Sequence, residues 1–160
     1  MTAEFLQECM ENELERLLAS MPLLSRQGEN PGARMTVYKQ NTPLREAVGE
    51  WDAPEELPPH AVVMLAGGKR KEFGEAEIAE LIVGFCVYDN GLDRSGYLDV
   101  LHAVERVKLR FAKDHTLGGW FRLAAPPEWE IACDDEFPYY YGSMLFSFEI
   151  PAVEPEDEMA

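Results

Sequence analysis

Basic side chains are scarce in this chain. Fourteen Lys and Arg stand against 30 Asp and Glu, for a formal net charge of −16 over 160 residues. Sequence-independent binding to nucleic acid needs a Lys/Arg surface that displaces counterions, and this balance argues against it. Cysteine is scarce too. Cys9, Cys86 and Cys133 are odd in number, far apart and without a C-x-x-C pair, so they form neither a disulfide framework nor a metal-binding spacing. They read as reduced thiols of a cytosolic protein. Long hydrophobic runs are missing: the longest uncharged apolar stretch lies within Leu81–Tyr88, far short of the ~20 residues that span a bilayer. The acidic N-terminus has no positively charged region ahead of an apolar core, so neither a secretory signal nor a membrane partner is expected.

What is present is the composition of a globular protein, with 46% hydrophobic and 28% charged residues. A chain of this length reads as one domain and buries roughly 70% of its extended surface on folding. The expected division is a single domain over residues 1–151 followed by an acidic flexible tail, 152–160.

Residues 4–21 carry the clearest helical pattern. Phe5, Leu6, Cys9, Met10, Leu14, Leu17, Leu18 and Met21 recur with the helical period, and Glu4, Glu8, Glu11, Asn12 and Glu15 fill the opposite face. Thr2 is placed to cap the start, and Pro22 ends the pattern. Residues 25–59 are less regular. Asn30-Pro31-Gly32 reads as a turn, Met35–Tyr38 has the composition of a short strand, and the proline-rich segment around Trp51 reads as an extended surface loop suited to an assembly contact. Two strands follow, His60–Ala66 and Ala76–Tyr88, with Gly67-Gly68 as their turn. Lys69-Arg70-Lys71, the one dense basic cluster, sits in this hairpin as a solvated tip or as a charge partner for an acidic neighbour.

A second helix is expected from Asp93 or Ser95 to Leu117-Gly118-Gly119, burying Tyr97, Val100, Leu101, Val104, Val107 and Phe111 and exposing Asp99, Glu105, Arg106 and Arg110. Strand-like segments then run over Trp120–Ala124, Trp129–Cys133 and Tyr141–Ile150. The fold class is therefore α+β: a mostly antiparallel sheet with two helices packed on it, in the order α-β-β-α-β-β-β.

Catalytic spacing does not emerge. His102 and Glu105 have an i, i+3 spacing used in di-metal helical bundles, but such sites need a second copy of the motif and further glutamates. Asp89-Asn90-Gly91-Leu92-Asp93 fails the EF-hand pattern, Gly67-Gly68-Lys69 is not a phosphate loop, and no serine lies in a G-x-S-x-G context. Glu128, Glu130, Asp134, Asp135 and Glu136 read as crowded surface carboxylates. No catalytic residue, metal or cofactor is expected. Tyr139, Tyr140 and Tyr141 stand out differently. Successive strand residues point to opposite sides, so part of this cluster must be exposed, and exposed tyrosines favour protein interfaces.

The segments PPHAVVMLAGG, LIVGFCVYDN, DRSGYLDVLHAVERVKLRF, LGGWFRL, PPEWEI and FPYYYGSMLFSFEIP follow one another from about His60 to Pro151. In this order they resemble the tail terminator, or tail completion, proteins of long-tailed bacteriophages and prophages. Asp93-Arg94, Gly96, Asp99-Val100 and Glu105-Arg106 fall where that family carries similar residues. The turn departs from the family pattern: Asn90-Gly91-Leu92 stands where relatives carry more acidic residues. Arg26–Leu57 has no counterpart.

The resemblance implies a structural virion protein of the tail and neck, found in the host cytoplasm before assembly. It implies a hexameric ring that caps the finished tail tube, stops its polymerisation and joins the head connector. The implied partners are further copies of the chain, the tail tube protein and the connector or neck protein. DNA would pass the ring lumen without specific binding. Trp51, Lys69, Arg70, Lys71, Tyr139, Tyr140 and Tyr141 are the expected interface residues, chosen on exposure. The alternatives are another neck, head-completion or minor tail component, a small acidic adaptor, or an enzyme whose site has no visible motif.

Overall fold

The structure, a computed structural model, describes residues 2–24, 34–42 and 59–152. Helix α1 spans Ala3–Ala19. The Thr2 hydroxyl accepts the Phe5 amide at 3.1 Å, satisfying one of the free N–H groups at the helix start, and Glu4 adds a carboxylate in the first turn. Leu6, Met10, Leu14 and Leu18 are buried together with Gln7. Gln7 belongs to no apolar stripe, yet its burial is compensated: its amide donates to the Val63 carbonyl and to Gln40 Oε1, each at 2.9 Å.

The remaining elements are β1 (Thr36–Lys39), β2 (His60–Lys69), β3 (Glu77–Tyr88), α2 (Tyr97–Lys113), β4 (Thr116–Leu117), β5 (Phe121–Leu123), β6 (Glu128–Ile131) and β7 (Tyr139–Ile150). The seven strands form one sheet in the order β1-β2-β3-β7-β5-β4, and β6 pairs β7 off that path. Every pairing is antiparallel except β1 with β2. This is the α+β fold expected from the sequence, and its element order stands, with the short strands β1 and β4 added. β3 and β7 pair without interruption from Glu77↔Ile150 to Tyr88↔Tyr139 and form the sheet's spine.

Both helices cover one face. Ala79, Leu81, Val83, Phe85 and Val87 of β3 and Met144, Phe146, Phe148 and Ile150 of β7 alternate into a core shared with α1 and α2. Phe111 of α2 packs on Phe146 and Phe148 at ring distances of 5.2 and 5.9 Å. At Gly142, α2 comes so close that a Cβ there would stand 2.5 Å from Val100 Cγ1.

Several local expectations are corrected. Tyr97, expected in the buried stripe of α2, is 45% exposed, and Arg110, expected to face out, is largely shielded beside Glu13. Gly67-Gly68 is not a turn: β2 continues through a register irregularity between Leu65 and Gly67 and still pairs Lys69 with Ile78. The chain reverses over 70–76, where Gly74 takes the left-handed position with φ +87°. The second helix is shorter than predicted. Asp93 instead accepts the Ser95 amide and hydroxyl in the preceding turn. The helix gives way at Asp114, whose carboxylate takes both the Thr116 amide and hydroxyl, so Gly118 and Gly119 form the β4–β5 turn instead. Asp99 does not face out. It is buried and accepts the Leu24 amide at 2.8 Å, tying α2 to the segment after α1.

Candidate assembly surface

The register of β3 and β7 sets the two ends of the molecule apart. At one end the β2–β3 hairpin projects Lys69, Arg70 and Lys71, all exposed. Among the described residues none of the three makes an ion pair. Phe73, at the hairpin tip, is 100% exposed. An aromatic side chain left wholly in water is a poor arrangement for an isolated subunit and a common one for an anchor.

At the other end, the start of β7 meets the turn before α2. There Arg94, Tyr97, the 131–137 segment and Tyr139–Tyr141 line a cleft of about 320 Å³. Arg94 has a left-handed backbone (φ 57°), pairs with Asp135 and lies over the Phe137 ring at 5.3 Å. Asp135 also accepts the Phe137 amide at 3.2 Å. The Asp135 carboxyl is held below its ordinary range first by Arg94 and then by that amide, while Arg94 is raised chiefly by Asp135. The pair therefore stays ionised on the surface. Asp134 and Glu136 flank it, and neither side chain has an ion-pair or hydrogen-bond partner among the described residues.

The tyrosines divide as strand geometry demands. Tyr140 turns toward the helices and packs on the core, with its hydroxyl buried and in reach of Arg94, whose guanidinium it helps to hold protonated. Tyr139 and Tyr141 share the opposite face, stacked at 6.5 Å, and Tyr88 meets Tyr139 edge-on at 5.5 Å. Tyr141 remains exposed. Beneath it, burial pushes the Cys86 thiol up to about 12, with contact to the Tyr141 hydroxyl pulling partway back. Gly96 fits under Tyr140: a Cβ there would stand 2.5 Å from the ring.

Of the predicted interface residues, Lys69, Arg70 and Lys71 share the hairpin and Tyr139, Tyr140 and Tyr141 share the cleft, so the two groups lie at opposite ends of the sheet. Trp51, the proline-rich loop around it, the Asn30-Pro31-Gly32 turn and the acidic tail from Val153 fall outside the described residues. Sequence reasoning missed Phe73, a lone aromatic between Glu72 and Gly74. It also missed Arg94 as a cleft residue, because its partner Asp135 lies 41 positions away. Elsewhere, Lys108, Phe111, Ala112, Leu123, Ala125 and Pro126 help line an apolar cavity of about 530 Å³ beside α2.

Among the described residues no group of three or more His, Cys, Asp or Glu side chains could hold a metal ion, and no helix is long and apolar enough to cross a membrane. The fold and surface define an α+β protein with exposed aromatic and charged features at both ends of its sheet. No protein-family model matches the chain, and no curated protein matches it in sequence.

Proposed function

We propose that this protein is a tail terminator of a long-tailed phage or prophage. It acts as a structural subunit whose hexameric ring caps the tail tube, ends tube polymerisation and offers its other face for head–tail joining. The observation that carries the reading is the order of the family-like segments. PPHAVVMLAGG leads into β2, LIVGFCVYD runs along β3, DRSGYLDVLHAVERVKLRF forms the turn and α2, and FPYYYGSMLFSFEIP forms β7.

The work of such a subunit is geometric. A head-to-tail contact between unlike surfaces closes into a ring after a fixed number of copies, one ring face matches the last tube ring and the other receives the connector. Neighbours in an obligate ring bury on the order of 2,000 Å² or more, so exposed aromatics are an asset to it. With a net charge of −16 per chain, the ring also presents a lumen to which passing DNA does not adhere.

Light scattering on the purified protein, alone and with tail tubes, tests the proposal. A hexamer, in solution or formed on the tube, together with arrested tube growth, is the expected result. A strict monomer that leaves tube growth unchanged overturns it.

One observation favours a second reading, in which the protein is a small-molecule binder. The apolar cavity beside α2, about 530 Å³, has the size of a ligand pocket. Saturable stabilisation by one member of a set of apolar compounds, lost on Ala112→Trp, would move the assignment there.

A further inference from the structure

The two ends of the sheet are chemically matched and cannot meet within one chain. Lys69, which opens the hairpin, pairs Ile78 near the start of β3, whereas Tyr139, in the cleft, pairs Tyr88 at the end of β3. The 12 residues of β3 separate them by roughly 35–40 Å at strand spacing. We infer that the β2–β3 hairpin of one copy docks in the Arg94–Tyr141 cleft of the next. Phe73 enters among Tyr97, Phe137 and Tyr141, and Lys69–Lys71 meet Asp134 and Glu136. This deepens the ring reading and rests on it for closure of the chain of contacts into a ring.

Three observations select a second copy as the occupant. First, charge: the hairpin holds the chain's densest run of cations, while the cleft holds carboxylates that would repel any neighbour of this acidic protein unless cations met them. The match extends to the minor charges. Glu72 and Glu75 share the hairpin tip, and Arg94 stands among the carboxylates of the cleft. Second, shape: a wholly exposed aromatic at a projecting tip faces an aromatic-lined cleft of about 320 Å³. That volume takes one aromatic side chain and its immediate neighbours. Third, direction: a projection at one end and a recess at the other make a contact between unlike surfaces. Such contacts generate rings or filaments, not two-fold dimers.

A native thiol makes the contact testable. Cys133 is exposed and lines the cleft, whereas Cys86 is buried and Cys9 is half-buried. Glu72→Cys, which leaves the Phe73 anchor in place, with a short bis-maleimide should link one copy to Cys133 of the next, giving a ladder of covalent multimers. E72C/C133S should give none. Absence of the ladder in E72C, or an equal ladder in E72C/C133S, overturns the contact.

Charge exchange gives an independent arm. K69E/R70E/K71E and D134K/E136K should each weaken self-association by about tenfold or more, as expected when like charges replace close pairs. Their equimolar mixture should recover it, because each variant's altered surface matches the other's. If either variant assembles as the wild type does, or the mixture stays dissociated, the contact is wrong. Tube capping by the wild type is scored separately. Capping that persists in variants that assemble normally retains the ring and removes this contact. A cross-linked, charge-dependent assembly that never caps a tube does the reverse.

Discussion

Arg110 and Glu13 meet at 3.1 Å between α2 and α1, with both side chains largely shielded from solvent. The same guanidinium donates to the Asp114 carbonyl at 2.7 Å and the Thr116 carbonyl at 2.9 Å. One side chain therefore joins the helices and closes the end of α2. Arg110→Ala should cost about 1.5–3 kcal/mol, the range for hydrogen bonds to charged groups. Arg110→Lys, a point charge without the planar fork, should recover less than half of that. Urea midpoints at constant m-value measure both.

Gly142 lets α2 ride on β7, and an added methyl group would meet Val100 at 2.5 Å. Gly142→Ala should destabilise by about 1–3 kcal/mol through overpacking. Val100→Ala removes the obstructing methyl groups, so the double variant should lose less than the sum of the single losses. Additive losses in a double-mutant cycle would disprove the steric account.

The buried Asp99 carboxylate serves the Leu24 amide from the first turn of α2. Asp99→Ala leaves that partly buried N–H unmet and should cost about 1–3 kcal/mol. Asp99→Asn keeps an acceptor at the same reach and should cost less. Equal losses in chemical denaturation would mean that the carboxylate's charge, not its acceptor role, is what counts.

Burial raises the Cys86 thiol from 9.0 to about 12. A folded-state pKa above the unfolded one contributes stability that is fully present below pH 9 and is lost as the pH climbs toward 12, because the unfolded chain releases this proton first. Cys86→Ala should therefore flatten the alkaline limb of the stability curve. At pH 8 a water-soluble thiol reagent should label Cys133 at once and Cys86 only on unfolding, since Cys86 is buried and Cys133 exposed.

The helices and the two long strands were legible because their signals are local. Leu6, Met10, Leu14 and Leu18 announce α1 by spacing, and Phe146 and Phe148 announce β7 by alternation. What escaped depends on partners distant in sequence. Asp99 reads as a surface residue of a polar helix face until the Leu24 amide arrives from 75 positions away. Gly67-Gly68 reads as a turn because a strand's persistence is set by its partner, here Glu80 and Ala79. The cleft was half-legible: the tyrosine alternation predicted exposure, but nothing local brings Arg94 to Asp135.

One further consequence follows from the way β7 is bordered. On one side it pairs β3 along its whole length; on the other, β6 takes Gly142–Leu145 and β5 takes Phe148 and Glu149. Among the described residues the sheet's outer borders are β1 and β6, each of four residues, β4, of two, and the Met64–Lys69 stretch of β2 beyond β1, where the Gln40 side chain takes the Leu65 amide and the register shifts before Gly67. Edges so short, or so interrupted, give little template for backbone-to-backbone addition, the route by which crowded sheet proteins run into fibres. Any self-association is thereby steered toward recognition by side chains, which mutation can tune, and away from the indiscriminate adhesion of bare peptide groups.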